Sequence, residues 1–360
     1  MNITKEACLT ALSQVIDPDF KKDLVTLNMI ENIEIEGNAI SFTVVLTTPA
    51  CPLKEHLESE CRRVLKEAFG EAITIHIEMS SRVTTQRADL NFLPGVKNII
   101  AVASGKGGVG KSTVSVNLAL ALAKKGAKVG LMDADIYGPS IPIMFGLEGK
   151  RPRVEEVEGA HKIIPIEKYG VKLVSIGFLV AGPQAVVWRG PMVSSAIRQF
   201  VTDVIWGELD YLLIDLPPGT GDIHLSIVSM AKPTGAIVVT TPQDVALADA
   251  RKAIDMFRNP SINVPVLGVA ENMSYFTPDD APEKKYHIFG QGGGSEIAAE
   301  FDTNFLGQLP IHPAIRQGGD DGEPFLLSRG THYADAFEEV ADNVARQVAI
   351  SNAPVETISV

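Results

Sequence analysis

A nine-residue segment, 105–113 (GKGGVGKST), constrains the fold of this chain more than any other stretch. It follows the apolar run Val96–Ala103, which predicts a buried strand, and it precedes residues 114–125, where apolar residues recur at helical spacing. A glycine-rich loop between a strand and a helix binds phosphate, because glycine lets several N–H groups converge on one anion and the helix N-terminus adds partial positive charge. We therefore predict a phosphate-binding loop made of Gly105, Lys106, Gly107, Gly108, Val109, Gly110, Lys111, Ser112 and Thr113.

Two side chains at the end of this loop favour a nucleoside triphosphate over a dinucleotide. Lys111 would reach the β- and γ-phosphates, and the Ser112 hydroxyl would ligate Mg²⁺. Residues 105–110 also fit the G-x-G-x-x-G pattern of dinucleotide folds, and Asp133 lies roughly where such folds keep their ribose-binding acid. A dinucleotide loop has no use for Lys-Ser at its end, so we prefer the triphosphate interpretation.

Acidic side chains stand at the ends of two further predicted strands. The strand 128–132 is followed by Asp133 and Asp135, and the apolar run 209–216 contains Asp215 in the Walker B pattern. The carboxyl ends of parallel strands form the ligand-binding edge of a sheet. We therefore expect Asp215 near Mg²⁺, Asp133 in the same metal shell, and Asp135 orienting the attacking water or contacting Mg²⁺ through water. The alternative for an isolated acid at such a position is a helix or turn cap.

From residue 96 onward, predicted strands alternate with helices, as in a parallel sheet that is covered on both faces. Buried strands are predicted at Gly235–Thr240 and 264–271, and a closing helix at 333–347. The sequence thus predicts an α/β P-loop ATPase domain over residues 96–348, with a mostly parallel sheet flanked by helices. A disordered tail is expected over residues 349–360.

Two further segments bear on the nucleotide. Asn272 follows a predicted strand at the sheet edge, where its amide would either hydrogen-bond a purine base or cap the chain. The turn Pro217-Pro218-Gly219 follows the Walker B acid and would bring a backbone N–H group to the γ-phosphate. Loss of that phosphate would release the turn, which would make it a switch.

The first 85 residues predict a separate small α+β domain with the element order αββαβ. It comprises a helix over 4–16, a hairpin over 31–46 with its turn at Gly37-Asn38, a helix that ends near Phe69, and a strand over 72–79. Residues 86–95 are expected to link this domain to the larger one.

Cys51 stands out in the small domain because Pro52 suits the first turn of a helix. Cys51 would then lie at or next to the N-cap, where the helix dipole stabilises the thiolate that a metal or cluster requires. The alternative is a small residue in a tight turn. Cys8 and Cys61 fall on apolar helix faces and are predicted to be core thiols.

The composition limits which classes of partner and which cellular compartment we expect for this chain. A net charge of −12 over 360 residues argues against a nucleic-acid partner and an anionic membrane surface. Three cysteines without a C-x-x-C pair are typical of the cytosol. The N-terminus lacks the pattern of a signal peptide, and no apolar stretch approaches the roughly 20 residues of a membrane span. We therefore expect a soluble, cytoplasmic protein.

Six motifs in order carry a family resemblance. The phosphate loop with its second lysine is followed by DADIYGPS (133–140), WRGPM (188–192), DLPPGTGD (215–222), TTPQD (240–244) and ENMSYF (271–276). The chain closely resembles the Mrp/ApbC/Nbp iron–sulfur carrier ATPases of the MinD/ParA/nitrogenase-reductase superfamily. The segment TTPACP and the earlier Asp17-Pro18 resemble the small SufT/PaaD-type domain of iron–sulfur assembly factors, in which the cysteine matching Cys51 is associated with cluster assembly.

The resemblance implies a slow ATP phosphohydrolase that works as a homodimer with ATP between its subunits and delivers clusters to iron–sulfur apoproteins. By this analogy Lys106 crosses to the partner's nucleotide, Lys111 and the loop amides hold the phosphates, and Ser112 binds Mg²⁺. Asp135 positions water, and Asp215 lies in the outer shell of the metal. The resemblance assigns adenine recognition to Asn272, Pro242 and Asp244.

One departure from the family bears on the cluster. Many members carry a C-x-x-C shortly after ENMSYF, and two subunits share a [4Fe–4S] cluster there. This chain has Thr277-Pro278-Asp279-Asp280 instead and no cysteine beyond Cys61. Any [4Fe–4S] cluster would have to use Cys51, with its dimer mate or with non-cysteine ligands. The alternative function is a MinD/ParA-like dimeric ATPase switch or scaffold that carries no cluster.

Overall fold

The structure is a computed structural model that describes residues 3–87, 92–179, 190–327 and 332–353. The chain divides into two compact units, which are residues 1–86 together with 345–360, and residues 87–344. Within the part of the chain that the structure describes, no helix is both long and apolar enough to cross a bilayer.

The first unit contains the predicted αββαβ elements, in the predicted order, and an additional two-residue ladder. Its elements are α1 (Lys5–Leu12), β1 (Ile16–Asp17), β2 (Lys22–Asp23), β3 (Ile30–Glu36), β4 (Ala39–Leu46), α2 (Lys54–Phe69) and β5 (Thr74–Ser81). Strands β3 and β4 are antiparallel, and β5 runs parallel to β4. Gly37 has a φ of +60°, so the expected hairpin turn is confirmed. Cys8 and Cys61 are fully buried in the core, as predicted.

The second unit is built on an eight-stranded sheet flanked by helices. Its elements begin with β6 (Val96–Ala103), α3 (Lys111–Lys124), β7 (Val129–Asp133), α4 (Ile141–Met144), β8 (Arg153–Val157), β9 (Ala160–Ile164), β10 (Ile166–Lys168), β11 (Val171–Ser175) and α5 (Gly190–Thr202). They continue with β12 (Leu209–Asp215), α6 (Asp222–Ala231), β13 (Gly235–Thr240), α7 (Asp244–Arg258), β14 (Val266–Tyr275), α8 (Gly293–Glu300), β15 (Phe305–Pro310), α9 (Pro313–Asp320) and α10 (His332–Ser351).

The strand order β10-β11-β7-β12-β6-β13-β14-β15 confirms the predicted mostly parallel sheet. Only the β10–β11 pair is antiparallel among these neighbours. The central strands are mostly apolar and are buried along almost their whole length because both faces of the sheet are covered. Since β7, β12 and β6 are adjacent, their carboxyl ends place Asp133, Asp215 and the glycine loop side by side.

The C-terminal helix departs from the expected boundaries. Helix α10 extends to Ser351, two residues beyond residue 349, where the tail was expected to begin. The last turns of α10 belong to the first unit because Arg346 forms an ion pair with Asp19 and the side chain of Asn352 donates to the carbonyl of Thr84. Residues 354–360, residues 88–91 of the expected linker, and the Trp-Arg of the WRGPM motif lie outside the described residues.

Candidate nucleotide-binding site

The glycine loop connects β6 to α3, as predicted, and two of its glycines are sterically required. Gly110 is the N-cap of α3 and has a left-handed φ of +79°, a conformation that other residues rarely adopt. A Cβ atom on Gly105 would lie 2.0 Å from the carbonyl oxygen of Asp249 in α7. The loop therefore follows a path that only glycine permits at these two positions, with its backbone pressed against α7.

A cavity of about 890 Å³ opens beside the loop. Residues 106–113 line it, together with Asp135 and Pro218. Apolar side chains also line it, and His312, Arg316 and Asp320 add further polar groups; the apolar residues are Ile143, Met144, Phe276, Ile288, Pro310, Ile311 and Ile315. A cavity of this size with both polar and apolar lining suits a ligand with a charged group and an uncharged ring.

Lys111 lies at the centre of a buried polar cluster. Its Nζ is 2.9 Å from Asp215 Oδ2 and 3.5 Å from Asp135 Oδ2, and the residue is only 5 % exposed. The hydroxyls of Ser112 and Ser115 each donate to the fully buried Asp215 carboxylate at 2.6 Å. The structure therefore brings together the loop lysine, the loop serine and two of the three predicted acids.

The third acid, Asp133, lies behind the cavity and does not line it. One carboxylate oxygen accepts from the Ser175 hydroxyl at 2.8 Å, and the other accepts from the Asp135 N–H at 3.1 Å. Complete burial, and secondarily the neighbouring Asp215 carboxylate, raise the pKa of Asp133 to about 8. Asp133 thus supports the backbone of Asp135, and its expected place in the metal shell stays a prediction.

The oxygen donors at the cavity fit Mg²⁺. Magnesium prefers carboxylate and hydroxyl oxygens to nitrogen or sulfur ligands. Asp135 and Ser112 line the cavity, and Asp215 holds the Ser112 hydroxyl from behind. Ser112 is therefore the first candidate for direct metal contact, and Asp215 is placed for the outer shell.

Lys106 differs from Lys111 in its surroundings. It lines the same cavity and is partly exposed, but no ion pair of its ammonium group is found within the described ranges. Of the two lysines of the motif, Lys111 is therefore already paired with carboxylates, whereas Lys106 has no ion pair among the residues that the structure describes.

The residues expected to recognise adenine lie in two different places in the structure, and their role stays a prediction. Asn272 lines the cavity, but its Nδ2 donates to the carbonyl of Val109 at 2.8 Å, so the amide supports the glycine loop. Pro242 and Asp244 do not line the cavity: Pro242 lies two residues before α7, and Asp244 is the first residue of that helix. The end of β15 and the segment that leads into α9 do line it with apolar side chains, among them Pro310 and Ile311.

Sequence reasoning missed β15 and α9. The available signal was the short apolar run of β15 (FLGQLP), which ends in a proline, followed by a second proline at the first position of α9. Gly307 interrupts this run and made it less conspicuous as a strand.

Cys51 lies in the first unit in a turn between β4 and α2. It is half-buried and lines a small cavity with Asp17, Thr48 and Arg346. The N-cap of α2 is Leu53, so Cys51 is two residues before the cap, which is further from the helix than expected. Within the described ranges, no group of three or more His, Cys, Asp or Glu side chains is arranged to hold a metal ion.

The two core cysteines contrast with Cys51. Burial raises the pKa of Cys8, and burial with nearby acids raises the pKa of Cys61 to about 12. Both thiols are therefore protonated at neutral pH and unsuited to bind metal. Cys51 is the only cysteine of this chain that is accessible to a ligand.

The parallel sheet, the glycine loop and the buried Lys-Ser-Asp cluster define a P-loop nucleotide-binding protein. Residues 95–345 match the family described as "NUBPL iron-transfer P-loop NTPase", and residues 5–77 match the family "Iron-sulfur cluster assembly protein". The chain belongs to the NUBPL iron-transfer P-loop NTPase family.

Known relatives agree with this assignment. An iron-sulfur cluster carrier protein of Synechocystis is 45 % identical, over 97 % of this chain and 99 % of the relative. The iron-sulfur cluster carrier protein of Escherichia coli strain K12 is 43 % identical, over 92 % and 89 % of the two chains. A nucleotide-binding protein from Archaeoglobus fulgidus, solved in complex with ADP, matches with a TM-score of 0.57 and 40 % identity, over 68 % of this chain and 93 % of that chain.

Proposed function

We propose that this protein is an ATP-hydrolysing iron–sulfur cluster carrier that delivers clusters to apoproteins. The observation that carries the proposal is that Lys111, Ser112 and Asp135 line one nucleotide-sized cavity, with Asp215 holding Lys111 and Ser112 from behind. The iron–sulfur part of the proposal rests on the names of relatives that match along almost the whole chain.

Each cavity residue has a role that follows from its charge and position. Lys111, now held by two carboxylates, offers its ammonium to the β- and γ-phosphates, and the loop amides surround them. Asp135 faces the cavity and is the group that orients water for attack. Mg²⁺, when bound through Ser112, supplies charge neutralisation at the phosphates. Phosphoryl transfer needs positioning and electrostatics more than covalent chemistry, so these groups suffice.

Lys106 supports a homodimer as the active species. A partly exposed ammonium at the cavity, without an ion pair in the described part of the chain, is suited to neutralise charge on a nucleotide held by a second copy. In this arrangement two chains enclose the nucleotides, and hydrolysis changes how the copies pair.

Cys51 is the proposed contact for the cargo. It is the accessible thiol of the chain and lies in the unit that matches an iron–sulfur assembly family. A [4Fe–4S] cluster, as the substrate of the carrier, would take one thiolate from each chain and its other ligands from elsewhere.

The test combines two measurements on the purified protein. ATPase turnover is measured with Mg²⁺, and cluster transfer is measured after anaerobic reconstitution, by visible absorbance and by activation of an iron–sulfur apoprotein. We expect hydrolysis together with transfer. Hydrolysis without any cluster would favour the MinD/ParA-like switch, and absence of both activities would reject the proposal.

A further inference from the structure

The imidazole of His224 is buried against the turn that follows the Walker B acid. His224 lies in the first turn of α6 and is 2 % exposed, and its Nε2 is 2.6 Å from the carbonyl oxygen of Pro217. A carbonyl oxygen can only accept a hydrogen bond, so the ring nitrogen that contacts it must carry the proton. His224 therefore donates its Nε2–H to Pro217.

The other ring nitrogen explains why this imidazole remains neutral. Nδ1 of His224 is buried and makes no hydrogen bond within the ranges that the structure describes. A second proton, on Nδ1, would give the ring a positive charge in a buried position, which is costly. Burial lowers the pKa of His224 more than the carbonyls of Pro217 and Gly221 raise it. The side chain thus presents one donor, aimed at one carbonyl.

The turn itself is held at a second point. The N–H of Gly219 donates to the carbonyl of Ser104, just before the glycine loop, at 2.9 Å. Pro217 and Pro218 have no N–H group, so Gly219 supplies the first backbone donor after Leu216. Because that donor is bound to Ser104, the turn must rearrange before Gly219 can contact a phosphate. Pro218, between the two held points, lines the cavity.

We propose that His224 is a positioning residue for nucleotide hydrolysis. Its Nε2–H holds the Pro217 end of the turn while the N–H of Gly219 leaves the carbonyl of Ser104 and binds the γ-phosphate. The inference rests on the proposed nucleotide hydrolysis. His224 does not line the cavity and so acts only through the turn. Its contact fixes the point about which the turn moves, and without it Gly219 would sample many positions in the bound state.

Three variants test this role in steady-state ATPase assays. His224→Leu removes the donor and keeps an apolar side chain of moderate size, whereas His224→Gln keeps an N–H donor at a similar reach. We expect His224→Leu to lower kcat about tenfold or more with KM within about twofold, since a misplaced group costs rate more than ground-state binding. His224→Gln should remain within about threefold of wild type. His161→Leu, at an exposed position of β9, is the control and should not change kcat.

A spectroscopic measurement on wild type keeps the test independent of folding and of activity. In the ¹⁵N spectrum of histidine-labelled wild type, the signal of His224 is the one that is missing from the spectrum of His224→Gln. This signal should have the chemical shift of the neutral Nε2–H tautomer, and the shift should change when Mg²⁺ and a non-hydrolysable ATP analogue are added. This signal decides the question if His224→Leu does not fold.

The inference is overturned if a folded His224→Leu variant keeps the wild-type kcat, if His224→Gln loses as much rate as His224→Leu, or if the tautomer carries its proton on Nδ1. Absence of ATPase activity in wild type would instead reject the proposed function, and the tautomer measurement would still report on the contact between His224 and Pro217.

Discussion

The phosphate loop in the second unit and the Cys51 turn in the first differ in how far a single chain prepares them for a ligand. At the loop, Lys111 Nζ lies 2.9 Å from Asp215 Oδ2, and the hydroxyls of Ser112 and Ser115 donate to Oδ2 and Oδ1 of the same carboxylate. At the turn, one half-buried thiol is present, and no set of three metal-binding side chains surrounds it among the described residues.

This difference has a functional meaning. Buried charges must be paired, so the ions at the loop stabilise one another until a nucleotide takes over the lysine. A single thiol does not define a cluster site, so the cargo must bring further ligands or find them on a second copy. We therefore expect nucleotide binding to be a property of one chain and cluster binding to depend on assembly.

The largest expected effect is that of Lys111→Ala. Removal of the ammonium from the phosphate position should lower ATPase turnover by about 100-fold or more and weaken ATP binding. It also leaves Asp215 buried without its cation, so unfolding should be followed in parallel by thermal melting. A folded variant that binds ATP as wild type does would show that the lysine is not part of the site.

Lys106→Ala is the matched comparison within the same loop. Because Lys106 has no ion pair in the described part of the chain, its loss should leave folding and ATP affinity nearly unchanged. Turnover should fall by about tenfold or more if it acts on the partner's nucleotide, as an arginine finger acts in trans. Equal turnover for wild type and Lys106→Ala would contradict the role across the dimer.

Cys51→Ser should impair cluster binding in the first unit without changing nucleotide hydrolysis in the second. We expect most of the iron and sulfide bound after anaerobic reconstitution to be lost, because a serine hydroxyl is a poor ligand for a cluster. ATPase turnover should remain at the wild-type level, since Cys51 does not line the nucleotide cavity. Cys8→Ala is the control, because Cys8 is a buried core thiol that should not contribute iron binding. Unchanged iron content in Cys51→Ser would reject the thiolate as ligand.

Asp133→Asn should have the smallest effect on activity and a visible effect on stability. The pKa of Asp133 is raised in the folded state to about 8, so the native protein binds more protons than the unfolded chain between about pH 4 and 8. This carboxyl group therefore makes the free energy of unfolding fall as pH rises through that range. Asp133→Asn keeps an oxygen for the Asp135 N–H and should flatten the slope, as measured by urea unfolding at several pH values.

In that variant, ATPase turnover should stay within about threefold of wild type, because Asp133 does not line the cavity. An unchanged pH slope would show that Asp133 ionises normally in the folded protein. A large loss of turnover would show that it contacts the metal after all.

Local patterns predicted much of the fold with accuracy. The bounds of β6 and β13 agree with the predicted strands, because a mostly apolar strand between glycine or polar turns is recognisable without tertiary information. The phosphate loop and Asp215 were predicted for the same reason: their chemistry needs a fixed order of a few adjacent residues. The long helix α10 was predicted at its start but not at its end, where Arg346 contacts residues of the first unit.

The chain's own sequence therefore determined the architecture of the parallel sheet, the phosphate loop and the burial of Cys8 and Cys61, since these depend on periodicity and on neighbouring residues. Only the tertiary structure decided that Asp133 contacts Ser175 and does not line the cavity, that Asn272 supports the loop, and that Pro310 and Ile311 line the cavity. Each of these depends on which distant segments meet at the sheet edge, and the distances between strands are not encoded in any local pattern.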